Sequence, residues 1–420
     1  MTEAVRFAAD LIRIDTTNRG GGDAAERPAA EYIAARLAEV GLAPALLESA
    51  PGRANVVARV SGTDPAAPAL LLHGHLDVVP AEPADWSVHP FGGEIRDGVL
   101  WGRGAVDMKN ADAVLLAVVR AWARTGWQPR RDIVLAFTAD EEDTADYGAR
   151  YLVEQHAHLF EGCTEAVGES GAFTFHADGG QRLYPVASAE RGTAWLKLTA
   201  HGRAGHGAKP NTENAVTRLA AAVTRIGGYE WPVRLIPTVR AAIDAIAAAV
   251  SAAGPDDLGS AGALVKGAMR NSANPTMLAA GYKINVIPGT AVAYVDGRVL
   301  PGYADEFAAT MDELCGPHVT WEYAHSETPL EAPLDAPIVD AMKAALLAAD
   351  ADAHVVPYCM TGGTDGKQFA RLGMACYGFT PLVLPPGYDY YAMFHGVDER
   401  IPLPALDSGV EIVDTFLRAL

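Results

Sequence analysis

Residues 69–77 read ALLLHGHLD, an apolar run that leads into two histidines and an aspartate. The run is too short for a helix, so it predicts a buried strand. Similar apolar stretches at 54–60, 132–137 and 165–167 predict further strands of the same sheet. In an open α/β sheet, ligands bind beyond the carboxyl ends of the strands, which is where this segment becomes polar.

Segments with helical periodicity alternate with these strands. They cover residues 25–40, 111–123 and 149–156, and the first is followed by Gly41, as a helix C-terminus often is. Parallel strands need such helical crossovers. The pattern therefore predicts an α/β fold with a mostly parallel central sheet.

A different pattern begins near residue 190. The predicted elements are a half-exposed strand at 193–202, a helix at 214–226, strands at 277–288 and 291–301 with a turn at Gly289, a helix at 304–314 and a strand at 318–323. This order is that of a ferredoxin-like α+β unit, with an Ala-rich helical insertion near 232–267. We expect a catalytic domain formed by 1–189 and 328–420, and an inserted domain at 190–327.

Composition limits the classes of partner. The 420 residues include 33 Lys and Arg against 52 Asp and Glu, a formal charge of −19. This excess of acid disfavours nucleic acid and anionic membranes as partners. The beginning of the chain lacks a signal-peptide pattern and no long apolar run occurs, which predicts a cytoplasmic protein. The four cysteines are widely spaced, so we expect buried thiols rather than disulfides or a thiolate metal site.

Ionisable residues cluster at the predicted strand ends. They are His75 and Asp77 after the first run, Asp107 at the start of a predicted helix, Glu141 and Glu142 in FTADEED, and Glu169 in EAVGES. Any one of them alone is equally well explained as a solvated loop charge. Unpaired carboxylates are costly to bury, and a bound metal cluster would remove that cost. Together they therefore favour a metal site.

Several ordered motifs resemble one enzyme family. They are HGHLDVVP (73–80), GRGAVDMK (102–109), ADEED (139–143), GESG (168–171), GHGAKP (205–210), NVIPG (285–289), GGTDGK (362–367) and FHGVDER (394–400). The chain is thereby similar, over essentially its whole length, to the dinuclear zinc hydrolases that include glutamate carboxypeptidase, aminoacylase, succinyl-diaminopimelate desuccinylase and acetylornithine deacetylase. The resemblance implies a zinc-peptidase-like catalytic domain and an inserted lid or dimerisation domain.

The resemblance also implies a ligand set for two ions. His75 and Glu169 would bind one ion, Glu142 and His395 the other, and Asp107 would bridge them. Three protein ligands for each ion leave an open position, as in catalytic sites, and nitrogen and oxygen ligands suit Zn²⁺, with Co²⁺ or Mn²⁺ as alternatives. The family further has a cis peptide after the bridging aspartate, here between Asp107 and Met108.

Two acids receive roles beside the metal ligands. In an extended segment Glu141 and Glu142 would point to opposite sides, so one can bind metal while the other works on the substrate. The family pattern makes Glu141 the general base. A surface acidic pair is the alternative. Asp77 would accept the free imidazole N–H of His75, unless it is a helix N-cap.

The inserted domain contributes three expected site residues. His206 resembles a family histidine that stabilises the developing oxyanion, and that histidine comes from the partner subunit in dimeric members. Asn285 and Arg298 match positions that hold a substrate carboxylate, for which Arg is suited. A solvated His206 and a surface Arg298 are the alternatives.

The GGTDGK segment differs from a phosphate-binding loop, because Thr361 and Gln368 stand where that motif needs Gly and Ser or Thr. We instead expect a loop whose N–H groups and Thr364 hydroxyl approach the substrate. We expect Lys367 to bind an acidic group of the substrate. Several family members have Arg at this position, so the identity of that acidic group stays open.

These features predict metal-dependent hydrolysis of an amide in small N-acyl amino acids or dipeptides with a free carboxylate. The substrate would be a small molecule or peptide, and a homodimer would form through the inserted domain. Desuccinylase, deacetylase or ureido amidohydrolase chemistry on the same site remains an alternative, as does a non-catalytic metal-binding homologue. The Pro/Gly-rich segment at 381–396 predicts a long functional loop.

Overall fold

A computed structural model describes residues 1–254 and 256–420 of the chain. The α-helices are α1 Glu3–Arg13, α2 Arg27–Ala38, α3 Lys109–Thr125, α4 Ala149–Gln155, α5 Ala215–Gly227, α6 Pro237–Val250, α7 Ala263–Lys266, α8 Ala304–Cys315, α9 Pro337–Ala349, α10 Gly366–Phe369 and α11 Leu403–Arg418. The strands are β1 Ala45–Ala50, β2 Arg53–Val60, β3 Ala69–His75, β4 Glu94–Arg96, β5 Val99–Trp101, β6 Ile133–Thr138, β7 Cys163–Gly168, β8 Phe175–His176, β9 Arg182–Glu190, β10 Gly192–His201, β11 Gly205–His206, β12 Ser272–Ala280, β13 Val286–Ile287, β14 Thr290–Val299, β15 Val319–Ser326, β16 Leu330–Glu331, β17 Ala353–Met360, β18 Ala375–Gly378 and β19 Arg400–Pro402.

A large mixed sheet forms the centre of the fold. Its strand order is β1-β2-β6-β3-β7-β18-β9-β16, with β8 and β17 also paired to β9. The middle pairs β6/β3, β3/β7 and β7/β18 are parallel, whereas β1/β2, β2/β6 and β18/β9 are antiparallel. The predicted largely parallel α/β sheet is confirmed. Because β3, β6 and β7 run in one direction, their carboxyl ends lie at the same edge.

A second, four-stranded antiparallel sheet comes from the middle of the chain. Its order is β12-β14-β10-β15, and helices α5 and α8 pack together against it. Buried side chains such as Leu196, Leu219 and Phe307 form its separate core. The α+β unit predicted for this region is therefore present, and we refer to it as the inserted domain.

The helical insertion does not extend the core of the inserted domain. Helix α6 packs against β17 and β9 of the large sheet, and Val239, Ile243 and Ile246 share one buried cluster with Leu183 and Val356. This apolar face explains why an Ala-rich segment folds into a helix here. The insertion covers one face of the large sheet beside the junction of the two sheets.

The predicted limits of one strand are wrong. The strand expected at 277–288 is β12 at Ser272–Ala280, and residues 286–287 pair instead with β11. Gly281 has φ +74°, a left-handed conformation that ends the strand. The predicted turn at Gly289 still leads directly into β14.

The described cysteines are free thiols, of which Cys315, Cys359 and Cys376 are buried. Three of the four thiols are thus buried as expected, whereas Cys163 is half-buried. Within the described parts of the chain, no helix combines the length and apolarity needed to cross a lipid bilayer.

Candidate metal centre

Two groups of potential ligands meet at the carboxyl edge of the large sheet. One contains His75, Asp107 and Glu169, and the other contains Asp107, Glu142 and His395. In each group the ligand atoms all lie within 4.8 Å of one another. Asp107 belongs to both groups, so the structure brings together all five residues that the resemblance implied as ligands.

Asp107 lies between two imidazoles. Its Oδ1 is 3.1 Å from His75 Nε2, and its Oδ2 is 3.3 Å from His395 Nε2. Glu169 Oε2 lies 3.8 Å from His75 Nε2, while Glu142 Oε2 lies 3.1 Å from His395 Nε2. Each carboxylate oxygen of Asp107 thus faces a different group, as a bridging ligand must.

The ends of the central strands place most of these side chains. His75 is the last residue of β3, and Glu169 directly follows β7. Asp107 precedes α3, and His395 lies in the loop before β19. Gly168 is required beside Glu169, because a Cβ at this position would collide with the buried ring of His73.

Glu141 and Glu142 lie in a turn rather than in the extended segment that we expected. Strand β6 ends at Thr138, and Asp140 then adopts a left-handed conformation with φ +68°. The two side chains nevertheless diverge. Glu142 faces His395, whereas Glu141 Oε2 lies 3.8 Å from His75 Nε2.

The acids of the centre repel one another in a buried setting. Burial and the charge of Glu169 raise the pKa of Glu141 well above its usual range. Burial and the neighbouring Asp107 raise the pKa of Glu142 to about 7, and burial also raises the pKa of Glu169. Although burial acts in the opposite direction, hydrogen bonds with His395 and His75 lower the pKa of Asp107.

This charge pattern fits bound cations. Four buried or nearly buried carboxylates, those of Asp107, Glu141, Glu142 and Glu169, face only two imidazoles in the centre. Among the described residues, Glu142 Oε1 is buried and has no hydrogen-bond partner. A divalent ion in each group would neutralise this excess and would use donor atoms that zinc, cobalt and manganese accept.

Asp77 supports the centre in a different way from the one predicted. The Nδ1 atom of His75 lies 3.0 Å from the backbone oxygen of Asp77 but 3.7 Å from its carboxylate. The carboxylate instead accepts the main-chain N–H groups of Glu141 and Glu142, each at 3.1 Å. No helix begins directly after Asp77, since the next helical turn starts at Pro83, so the N-cap alternative is wrong.

Glu399 holds the segment that contains Asp107. Its carboxylate accepts the N–H groups of Gly104, Val106 and Asp107 at 3.0, 2.6 and 3.1 Å. It also accepts a 2.7 Å bond from Arg103, whose other nitrogen lies 3.3 Å from the backbone oxygen of His395. The peptide bond between Asp107 and Met108 is cis, as the resemblance implied.

A cleft of about 400 Å³ opens onto the centre. Glu141, Glu142, Glu169, Asp107 and His395 form its floor. Side chains from both sheets and from the loops beside them complete it, including Trp195, Arg298, His325, Glu327, Tyr358, Met360, Tyr391 and Phe394. The cleft therefore has the acidic metal centre at its floor and a mixed wall that includes four aromatic side chains, Trp195, Tyr358, Tyr391 and Phe394.

Three of the predicted substrate-contact residues are differently placed around this cleft. Arg298 and Thr364 line it. The Arg298 guanidinium forms a double contact with Asp296 at 2.8 and 3.2 Å, and the Thr364 hydroxyl donates to Glu190 at 2.7 Å. Lys367 is buried, and its ammonium lies 3.3 Å from Glu327. Lys367 therefore supports an acid of the cleft wall rather than facing the space within.

His206 and Asn285 lie together but are not among the residues that line the cleft. Both are exposed, and the N–H of Gly207 donates to the backbone oxygen of Asn285 at 2.9 Å. The expected contact of these two residues with the site is thus not made within one chain. The short β11/β13 pairing holds them on the surface of the inserted domain.

Sequence reasoning missed several residues of the site. Glu399 lies inside the FHGVDER motif, and its position four residues after His395 was the available signal. Trp195 gave no signal beyond its aromatic character, because its placement in the cleft depends on how the inserted domain meets the large sheet. Tyr391 lies in the 381–396 segment that was predicted as a functional loop, although that prediction did not single it out.

Comparison with known proteins places this centre in a family. The profile of Peptidase family M20/M25/M40 matches residues 71–419. The chain is 26% identical to the N-fatty-acyl-amino acid synthase/hydrolase PM20D1 of Xenopus tropicalis, covering 97% of this chain and 83% of that protein. It is 28% identical to human aminoacylase-1, covering 91% and 87%.

Solved structures share the fold over the whole chain. The M20 family metallo-carboxypeptidase Sso-CP2 from Sulfolobus solfataricus superimposes with a TM-score of 0.77 at 16% identity, covering 100% of this chain and 99% of that one. The family match, which spans most of the chain, agrees with the two ligand groups of the centre. The chain belongs to Peptidase family M20/M25/M40 and is a metal-dependent hydrolase.

Proposed function

We propose that this protein uses two zinc ions to hydrolyse the amide bond of N-acyl amino acids or short peptides that carry a free carboxylate. The observation that carries the proposal is Asp107, which contacts both His75 and His395 and belongs to both ligand groups. The names of two relatives, an aminoacylase and an N-fatty-acyl-amino acid hydrolase, support the substrate class.

The donor set supports zinc. Each group offers one imidazole and two carboxylates, without a thiolate, and leaves room for a further ligand. Co²⁺ and Mn²⁺ accept the same donors, so they are expected to substitute in vitro. When bound, the ions would polarise the substrate carbonyl and lower the pKa of an attacking water towards about 7.

Glu141 is the proposed general base. It lines the cleft, it lies 3.8 Å from His75, and it is absent from both ligand groups. Its carboxylate would take the proton of the attacking water and return that proton to the leaving amine. The turn that contains Glu141 is held by Asp77, whose carboxylate accepts the main-chain N–H groups of Glu141 and Glu142.

The cleft wall suggests what lies at each end of the substrate. Arg298 is the proposed partner of the substrate carboxylate, because guanidinium binds carboxylates well. Trp195, Met360, Tyr391 and Phe394 line the same space. Such an apolar wall favours a hydrophobic acyl group or side chain over a charged one.

We also propose a homodimer in which His206 and Asn285 serve the partner's cleft. Both lie outside the cleft of their own chain on the exposed surface of the inserted domain. Four apolar side chains nearby are exposed, with fractions of 63% for Met277, 58% for Leu278, 84% for Tyr282 and 104% for Ile284. An exposed group of this kind is typical of an interaction site.

A cytoplasmic location is proposed as well. Free, mostly buried cysteines in the described residues fit a reducing compartment. Cell fractionation tests this directly.

The proposed function is tested by amino acid release from a panel of N-acetyl, N-long-chain-acyl and dipeptide substrates. We expect release that stops on chelation, returns with Zn²⁺ and is fastest with apolar acyl groups. Each substrate is paired with its carboxamide, which removes the free carboxylate. Purified protein that holds two metal ions but hydrolyses none of the panel would identify a non-catalytic homologue.

A further inference from the structure

A buried chain of polar side chains runs from the N-terminal segment to the turn that carries Glu141. The Nδ2 atom of Asn18 donates to Asp77 Oδ2 at 2.9 Å and to Asp140 Oδ1 at 3.0 Å. Asn18 is 4% exposed, and both aspartates are fully buried. One amide group thus joins two carboxylates that no other described donor bridges.

These two carboxylates hold the turn from both sides. Asp77 accepts the N–H groups of Glu141 and Glu142. Asp140 directly precedes them, and its Oδ2 accepts the N–H of Tyr147 at 3.2 Å and the Thr144 hydroxyl at 3.3 Å. Asp140 has a left-handed φ, which is uncommon outside glycine, and these bonds stabilise it.

Arg53 completes the chain. Its guanidinium contacts Glu26 through two nitrogens, each at 2.7 Å, and the second nitrogen also lies 2.7 Å from Asp140 Oδ1. Its carbon lies 4.5 Å from the ring centre of Tyr147. Because Arg53 is 1% exposed, its contacts with Glu26 and Asp140 are shielded from solvent.

Four ionisable side chains are buried together in this network. Glu26, Asp77 and Asp140 are all fully buried, with Arg53 as the cation that contacts two of them. Replacing buried ion pairs by apolar residues is often neutral or stabilising, so such a network points to a need for fixed geometry. The part of the chain that it fixes is the Glu141–Glu142 turn.

We propose that Asn18 and Arg53 are positioning residues for the hydrolysis, acting through Asp77 and Asp140 on the placement of the Glu141 carboxylate. This inference rests on the proposed function. Neither residue touches the substrate cleft, and neither belongs to a ligand group. Their effect is therefore expected on turnover, with substrate affinity and metal content retained.

The first test is Asn18→Leu, which keeps a similar volume without the amide. We expect kcat to fall about 10- to 100-fold, because a small misplacement of a catalytic group has effects of this size. KM and metal content should stay near the wild-type values. For Arg53, Arg53→Met should show a similar loss, and Arg53→Lys, which keeps the charge, should recover part of kcat.

Coupling to Glu141 separates positioning from general damage. In a Glu141→Ala background, Asn18→Leu should not reduce the residual rate further, because residues that act as a unit are not additive. The matched control is Arg131→Met, which removes another buried arginine. Arg131 pairs with Glu165 at 2.5 Å near the amino ends of β6 and β7, away from the metal centre. This substitution should lower the melting temperature but not kcat.

The outcomes distinguish the inference from the proposed function. If the wild-type protein hydrolyses its substrate and Asn18→Leu keeps the wild-type kcat, or lowers the rate equally in the Glu141→Ala background, the inference is wrong. If the wild-type protein hydrolyses no amide, the proposed function itself fails. Should Asn18→Leu not fold by circular dichroism, Arg53→Met decides by the same two comparisons.

Discussion

His395 Nε2 lies 3.1 Å from Glu142 Oε2, although the two residues belong to loops at distant points of the chain. Glu142 follows β6 on the large sheet, whereas His395 lies just before β19. Burial raises the pKa of Glu142 to about 7, and hydrogen bonds with Asp107 and Glu142 raise the pKa of His395 to about 10. The pair completes one ligand group, and it depends on the folded position of both loops.

Removal of either member of this pair should empty one metal position. In His395→Ala and in Glu142→Ala, we expect elemental analysis to give about one ion per chain instead of about two, because each group then has two protein ligands. His206→Ala serves as the control, since it removes a histidine outside both groups and should retain both ions. Full metal content in His395→Ala would contradict the assignment.

Arg298→Met should weaken binding of the substrate carboxylate. Hydrogen bonds to charged groups contribute about 1.5–3 kcal/mol, so KM should rise roughly 10- to 100-fold while kcat changes little. The matched control is the carboxamide of the same substrate, which should respond much less to the substitution. Equal effects on both substrates would show that Arg298 does not bind the substrate carboxylate.

The proposed dimer makes two inactive variants complement each other. Glu141→Ala inactivates its own site, whereas His206→Ala would inactivate the partner's site. A mixed dimer therefore contains one site with both residues intact. We expect activity after the two purified variants are mixed and allowed to exchange subunits. Persistent inactivity, with subunit exchange verified by differently tagged chains, would place His206 outside the reaction.

Asp350 provides a pH-dependent contribution to stability. Hydrogen bonds from Arg182 at 2.5 and 2.6 Å lower the pKa of Asp350, despite the opposing effect of partial burial. A carboxylate with a lowered pKa stabilises the fold above its unfolded-state pKa and loses this effect as the pH falls through its folded-state pKa. Asp350→Asn should therefore lower the urea midpoint at pH 7 and approach the wild type in acid.

Asp352→Asn is the control for this measurement. Asp352 also contacts Arg182, at 3.4 Å, but its side chain is 89% exposed. Exposed ion pairs contribute little, so the urea midpoint should barely change. A pH-independent effect of Asp350→Asn would show that charge is not responsible.

The sequence was sufficient to predict the central sheet and most of the candidate metal ligands at its edge. Apolar runs followed by His75, Glu142 and Glu169 are local patterns, and they predict strand ends whatever the rest of the chain does. His395 was identified only by resemblance, because a loop residue far from the sheet carries no periodic signal. Its role as a ligand stays a prediction until metal content is measured.

The supporting contacts were harder to predict because they depend on tertiary packing. Lys367 was expected to face the substrate, yet it is buried against Glu327. Asp77 was expected to accept a hydrogen bond from His75 with its carboxylate, yet that carboxylate holds the turn that contains Glu141 and Glu142. Asn18 and Arg53 lie far from Glu141 along the chain, and only the folded arrangement brings them to one buried network.

The most direct measurement is the turnover of Glu141→Gln with its metal content determined on the same sample. Gln keeps the size of the side chain but cannot act as a base. We expect about two ions per chain and a kcat reduced by about 10²- to 10⁴-fold, the usual contribution of a general base. Wild-type turnover with both ions bound would contradict the proposed role of Glu141 and with it the mechanism described above.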